Sequence, residues 1–331
     1  MYVEGCALQD EAHPAQSGFN VIELELPGRK QRITHFEWSK DHYTAITDQD
    51  WTALVENSVF RHGFRVNDEF ARFLNDPGAG YTHSHKREVK LRDIFVYPDL
   101  TVRGALPKGQ PNEILAESFE SFLRDSSCIV FEGEAQSGRT SLAKIAYLDL
   151  SNSLGLVPVF IDGRELKSAT EQAVINRVTK AVSDQYSPKA TERFNQLDSA
   201  KRVLIVDDWH RSPLNSQGRE ELLALVGKRF GKIFLFSDPM FDVKEFATMG
   251  KDQASLLRFQ HASLRQFGHK SRGRLIEKWL MLGREHSYDE EKLAREILEI
   301  ENVITTLMGK NTLPKFPFIV HHRSFGVWHQ R

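Results

Sequence analysis

Gly133, Gly138, Arg139 and Thr140 occupy the four fixed positions of G-x-x-x-x-G-K-[ST], with arginine where lysine is expected. The chemistry open to such a spacing is phosphate binding. Glycines let the backbone curl until successive N–H groups point inward at an anion, and the first turn of a following helix adds its positive dipole end. The surroundings agree, because the apolar run 128–131 precedes the loop and the helix-forming run 141–147 follows it. The expected phosphate-contacting set is therefore Gly133, Glu134, Ala135, Gln136, Ser137, Gly138, Arg139, Thr140 and Ser141.

Residues 201–208 (Lys-Arg-Val-Leu-Ile-Val-Asp-Asp) supply a second constellation. A short apolar run ending in two carboxylates is how a buried parallel strand ends when its tip faces a nucleotide and its magnesium ion. Mg²⁺ keeps several waters and takes one or two carboxylates besides the substrate's phosphates. Asp207 is expected to hold the metal's water shell, with Thr140 supplying a hydroxyl. Asp208 stands where a general base orients the attacking water. The plainer alternative is a strand followed by a polar turn. His210 is open in the same way, between contact with the nucleotide and capping of a turn.

Arg139 is the main departure. Lysine is a compact charge on a flexible stem, whereas arginine's planar fork is bulkier and cannot take the same place among phosphate oxygens. The backbone cradle is unchanged, so ATP or ADP binding is expected to survive while turnover becomes slow or absent. Each tenfold loss requires only about 1.4 kcal/mol of transition-state stabilisation.

The elements that must position these residues read as α/β. Apolar runs at 128–131, 156–161, 203–206 and 233–236 alternate with helical patterns at 171–182 and 218–230, which implies βαβ units and a parallel sheet flanked by helices. Ser237, at the end of the fourth run, is open between sensing a γ-phosphate and capping a helix. A helix carrying Ile114, Leu115, Phe119 and Phe122 is expected to lead into the sheet. Residues 18–26 and 32–38 alternate in polarity about a turn at 27–30, a β-hairpin signal. Residues 251–313 read as helical. There Arg274–Leu282 carries an apolar face ending at Gly283, and Ser287–Glu290 forms a capping box before a stripe at Leu293, Ile297, Ile300, Ile304 and Leu307. The expected divisions are a hairpin tail (1–45), a connector (46–110) with a short helix at 68–74, a sheet domain (111–250) and a helical lid (251–331).

At this point the residues resemble a known class. Residues 203–215 (Val-Leu-Ile-Val-Asp-Asp-Trp-His-Arg-Ser-Pro-Leu-Asn) and 232–239 (Lys-Ile-Phe-Leu-Phe-Ser-Asp-Pro) are similar to the Walker B region and following strand of STAND/NACHT signalling NTPases. Residues 91–100 resemble the aromatic, proline-bearing lead-in that lies close to adenine in that class. Residues 269–280 and 314–320 are similar to its lid segments. The resemblance implies ATP or ADP with Mg²⁺, a switch between closed and open states, self-association or an effector or sensor partner, and, for bacterial members, antiviral defence. It also implies lid cations near the triphosphate, for which Arg265, His269, Lys270, Arg272 and Arg274 are the candidates, beside a plain solvated reading. A conventional AAA+ machine should add an arginine finger and a complete lid, and neither can be assigned.

The N-terminal strands resemble the final strands of calcineurin-like metallophosphoesterases, but without the D-x-H, G-D-x-x-D and G-N-H-[DE] blocks that hold the metals in that family. His83 and His85 form a bare H-x-H in a polar loop. The lid pattern is lost after Val320, from which a frameshift or premature end is expected.

Bulk properties narrow the classes. Lys plus Arg number 44 and Asp plus Glu 45, so no global attraction to nucleic acid or an anionic membrane is implied. Two cysteines, Cys6 and Cys128, cannot define a disulfide framework. No apolar stretch approaches the ~20 residues that span a bilayer, and no signal-peptide core stands at the N-terminus, so the expected compartment is the cytoplasm.

Overall fold

Alternation at the N-terminal end does build strands. In the computed structural model, which describes residues 18–25, 30–39, 41–48, 51–53, 64–104, 112–239, 259–283 and 289–308, β1 (Gly18–Glu25) pairs antiparallel with β2 (Lys30–Ser39). β3 (His42–Asp48) continues that sheet, and β4 (Thr52–Ala53) adds to β2. Phe19 stacks on Phe36 at 4.9 Å, and Trp38 meets Tyr43 edge-on at 4.9 Å. None of the described side chains of this sheet is fully buried. It belongs to the first of two units, Met1–Asn57, and the rest forms the second, Ser58–Arg331.

The second unit begins with α1 (Asp68–Asn75), capped by the Asn67 side chain accepting from Phe70 N–H, and the short α2 (Leu91–Ile94). There follow β5 (Leu100–Gly104), β6 (Glu113–Ile114), α3 (Phe119–Asp125), β7 (Cys128–Glu132), α4 (Arg139–Asn152) and β8 (Val157–Asp162). Next come α5 (Glu171–Gln185), α6 (Ala190–Gln196), β9 (Arg202–Asp207), α7 (Ser216–Gly227) and β10 (Lys232–Ser237). β11 (Gln260–Leu264), α8 (His269–Met281) and α9 (Glu290–Met308) complete it. Its seven strands lie in the order β6-β5-β11-β7-β10-β9-β8. The five from β11 to β8 are parallel, and β5 and β6 join antiparallel. The class expected from sequence, a mostly parallel sheet flanked by helices, is what forms.

The parallel strands are apolar on both faces because helices cover both. Ile129, Val130 and Phe131 are fully buried, as are Val203, Ile205, Phe234, Leu235 and Phe236. Phe131 is the aromatic centre, stacked on Phe236 at 4.8 Å and within 6.5 Å of Phe119, Phe122 and Phe234.

Two expectations need correction. Residues 251–313 are not all helical, since β11 lies among them and pairs with β7. Its sequence, Gln-His-Ala-Ser-Leu, lacks an apolar run because its polar side chains have a buried partner. His261 Nδ1 and Ser263 Oγ each donate to the Glu132 carboxylate at 2.8 Å, and Arg103 Nη2 adds a third bond at 2.6 Å. The helix expected around 114–122 starts only at Phe119. Leu100 pairs with Ile114 across β5 and β6, and Leu115 is left 52% exposed.

Helices α8 and α9 form a second apolar cluster with the segment before β5. Phe267, Leu275, Ile276, Trp279 and Ile300 pack with Val89, Ile94 and Val96. Gly283 closes α8 at φ +71, where a Cβ would overlap the His85 carbonyl. Ser287, the side chains of Ile304 and Leu307, and the segment after residue 308 lie outside the described residues.

Truncating the aromatic centre should be costly. Phe131→Ala is expected to lower the unfolding free energy by about 3–5 kcal/mol, measured by urea denaturation. A loss under about 1 kcal/mol would show that this ring is not central to the core.

Candidate functional site

Parallel strands end at one edge of a sheet, and here the edge gathers the chemistry. Asp162 and Asp207 are register partners at the tips of β8 and β9, and Ser237 is paired with Glu132 at the tips of β10 and β7. The glycine loop leaves β7 at this edge and returns as α4. Its first glycine is tied to the next strand by Gly133 N–H donating to Ser237 O at 3.2 Å. Gly138 turns the chain into the helix at φ 90, a conformation that only glycine adopts freely.

The two constellations meet directly. Thr140 Oγ1 donates to Asp207 Oδ2 at 2.7 Å, and the other Asp207 oxygen accepts Asp208 N–H at 3.0 Å. β7 and β9 are not neighbours, since β10 lies between them, so the helix start must lean across β10 to make this contact. Burial holds the Asp207 carboxyl above the ordinary carboxylate range, against the pull of the Thr140 hydroxyl.

Arg139 does not lie open to the loop's concavity. Its Nη1 donates to Gly133 O and, at 3.3 Å, to Ser237 O. Its guanidinium also stands 3.9 Å from Asp208 and 3.7 Å from Asp238, with the side chain only 12% exposed. Ser237 thus takes part through its carbonyl, while its hydroxyl donates to Asp238 O at 3.5 Å. Gln136 (φ 65) and Asp208 (φ 50) are the two non-glycine residues with positive φ among the described residues. Both flank this site, and backbone strain of that kind is retained where the surroundings enforce it.

Ser137, Gly138 and Ser141 also line a cavity of about 80 Å³ walled by Leu91, Ile94, Phe95, Val96 and Pro98 of the segment before β5. Pro77 and Tyr81 of the connector, Leu264 of β11, and Phe267 and Leu275 of the lid close it. Ser137 Oγ is buried with no hydrogen-bond partner among the described residues. α4 has no side-chain cap, which leaves its first amides to another acceptor. An orphaned hydroxyl and an uncapped helix start suit phosphate oxygens. The apolar walls suit a flat base.

Of the expected site residues, Glu134, Ala135 and Gln136 are exposed at the loop's tip. The lid cations are engaged elsewhere. Lys270 and Arg274 both meet Glu117 at 2.6 Å, holding its carboxyl down to about 2, first through Lys270. Arg272 and His269 meet Glu301, and Arg265 meets Glu113. None of the five lines the cavity. Burial holds the His210 imidazole below its usual value, and its Nε2 stands 4.0 Å from Asp208. Sequence reading gave no role to Asp162, Arg164, Arg211 or Asp238, which stand at the same edge. An acid closing the apolar run 157–161 was the signal for the first. Among the described residues no group of three or more His, Cys, Asp or Glu could hold a metal by itself, His83 and His85 included.

No protein-family model matches the chain, and no curated protein matches it. Solved structures similar to it include AMPPCP-bound DnaA from Aquifex aeolicus, at 15% identity over 59% of this chain and 61% of that one, with a TM-score of 0.35. The Aeropyrum pernix ORC1 protein in complex with DNA matches at 10% identity over 70% and 66%, with a TM-score of 0.42. A variant of Thermotoga maritima RuvB matches at 14% over 64% and 65%, with a TM-score of 0.30. The chain spans about three fifths of the length of the DnaA chain. Strand order, glycine loop and acid-tipped strand make this a P-loop NTPase fold.

The raised Asp207 carboxyl gives a pH prediction. A carboxyl that binds its proton more tightly in the folded chain favours folding below its unfolded value, and that stability is lost as pH rises through the folded value. Asp207→Asn can still donate to Thr140 Oγ1 and accept from Asp208 N–H. It should melt at a higher temperature than the parent at pH 7, with the gap closing below the ordinary aspartate value of 3.8. Thermal melts across pH check this, and a lower melting temperature at pH 7 would contradict it.

Proposed function

We propose that the chain binds ATP and ADP between the glycine loop and the lead-in, and that it works as a nucleotide-dependent switch with slow or absent hydrolysis. The observation that carries this is the 2.7 Å bond from Thr140 Oγ1 to Asp207 Oδ2, which sets a hydroxyl and a carboxylate together beside an uncapped helix start. Loop amides, the Ser137 hydroxyl and Ser141 would hold the phosphates, and the cavity walls the base. Thr140 and Asp207 would hold Mg²⁺, with phosphate oxygens and waters completing its shell. Such an ion neutralises charge on the phosphates. Asp208 would orient the attacking water.

Slow turnover follows from Arg139. Its fork is committed to Gly133 O, Ser237 O and two aspartates, so reaching a phosphate means giving up contacts that a lysine would not make. The same observation favours a second reading, an adaptor that binds nucleotide and never hydrolyses it. A switch is supported by the cavity's walls, since Phe267 and Leu275 belong to the lid and occupancy can therefore set the lid's packing. The ordered likeness to STAND/NACHT modules supports a signalling role in the cytoplasm, defence included, with self-association or an effector or sensor partner. On this reading 111–250 is the nucleotide domain, 251–331 the lid, 46–110 the connector and 1–45 a phosphoesterase-like remnant without its metal ligands.

Isothermal titration with Mg²⁺–ATP and with ADP is expected to show one site per chain, and no heat with either at millimolar nucleotide would end the proposal. Arg139→Lys is expected to raise ATP turnover at least tenfold over the parent. Unchanged turnover in a variant that still binds would favour the adaptor.

A further inference from the structure

Asp208 is fixed from behind and faced by three basic side chains. Its φ of 50 and ψ of 40 are left-handed, and its carbonyl packs so closely on Gly163 that a Cβ there would overlap it. Its Oδ1 faces Arg139 at 3.9 Å and His210 at 4.0 Å, while Oδ2 faces Arg211 Nε at 3.4 Å. A turn folds Arg211 back over the acid, closed by Arg211 N–H donating to Asp208 O at 2.8 Å. The neighbouring Arg164 is bonded to Asp162 instead. Arg211 and Arg139 therefore share one carboxylate, and Arg139 occupies the sequence position at which a lysine would reach the phosphate chain. Their exposures differ. The Arg139 side chain is 12% exposed and bonded to the Gly133 and Ser237 carbonyls, whereas that of Arg211 is 53% exposed and paired with Asp208 at 3.4 Å.

We infer that Arg211 reads the terminal phosphoryl group of a nucleoside triphosphate, exchanging its pair with Asp208 for one with that phosphate. The inference rests on the nucleotide-binding reading above. A half-exposed pair at 3.4 Å is weak, and a phosphate dianion offers the guanidinium fork a better-matched partner. The exchange leaves Asp208 Oδ2 open to accept from water. A diphosphate lacks the group that would draw the guanidinium away, so on this inference Arg211 stays on Asp208. Arg211 is thus a specificity-determining residue that couples the third phosphate to the orientation of Asp208.

The test titrates the whole chain with Mg²⁺–ATP and Mg²⁺–ADP, as parent, Arg211→Ala and Arg211→Lys. Arg211→Ala is expected to weaken ATP about tenfold, which is about 1.4 kcal/mol, and to leave ADP within about twofold. Arg211→Lys, keeping the charge without the fork, is expected to fall between. Equal weakening of both nucleotides, or of neither, overturns the role of Arg211 while nucleotide binding stands. A parent that binds neither nucleotide overturns both. Should Arg211→Ala not fold, Arg211→Gln is judged by the same ratio, which a purely structural loss would not move.

Discussion

The hydrogen bond between Thr140 and Asp207 is the constraint on which the rest of the site depends. It joins the start of α4 to the tip of a strand that is not the neighbour of β7. To reach it, the glycine loop has to curl over β10, and the Gly133 bond to Ser237 fixes where that curl begins. One turn further along α4, Lys144 is buried against the Phe73 ring at 4.4 Å and donates to Asp76 O at 3.0 Å. Burial lowers the pKa of its ammonium group. α4 is thus pinned to the sheet edge by its first turn and to α1 by its second.

Around that bond the electrostatics are close to balanced. Asp207 is buried and held toward its neutral form, while Asp162 is held toward its charged form, first by the Arg164 hydrogen bond. Asp208 and Asp238 share Arg139. On the proposed reading, an entering phosphate chain would meet paired charges rather than a basic pit, so its binding would come from loop amides and re-partnering of the arginines. Selectivity by charge state follows more naturally from such a site than raw affinity does. The apolar lining of the cavity comes from the segments before β5, from α4, from β11 and from α8 with Phe267 before it. Several of these side chains also belong to the second apolar cluster, so an occupant of the cavity would share them with that packing.

The parts legible in the sequence were those with strong local signals. The loop showed in its glycines, β9 in an apolar run closed by two acids, and β8 and β10 in runs bounded by polar residues. β11 was hidden because its polar side chains are satisfied by Glu132, a partner more than a hundred residues away. The segment at 113–118 looked helical by its spacing, but pairing with β5 claimed Ile114 first. The lid cations looked free in sequence because their partners, Glu113, Glu117 and Glu301, become neighbours only on folding. Arg211 lies three residues beyond the paired acids with no signal of its own in sequence, since only the backbone turn after β9 aims it at Asp208. Tyr81 and Pro77 reach the cavity from a stretch with no motif at all.

The central claim is that the amides of the loop and the tip of β9 serve one anion. Amide hydrogen exchange of the whole chain, with and without Mg²⁺–ATP, addresses it most directly. Peptides covering 133–142 and 204–211 should slow together at the same nucleotide concentration. Protection confined to one of the two, or to neither while nucleotide binds elsewhere, would contradict it.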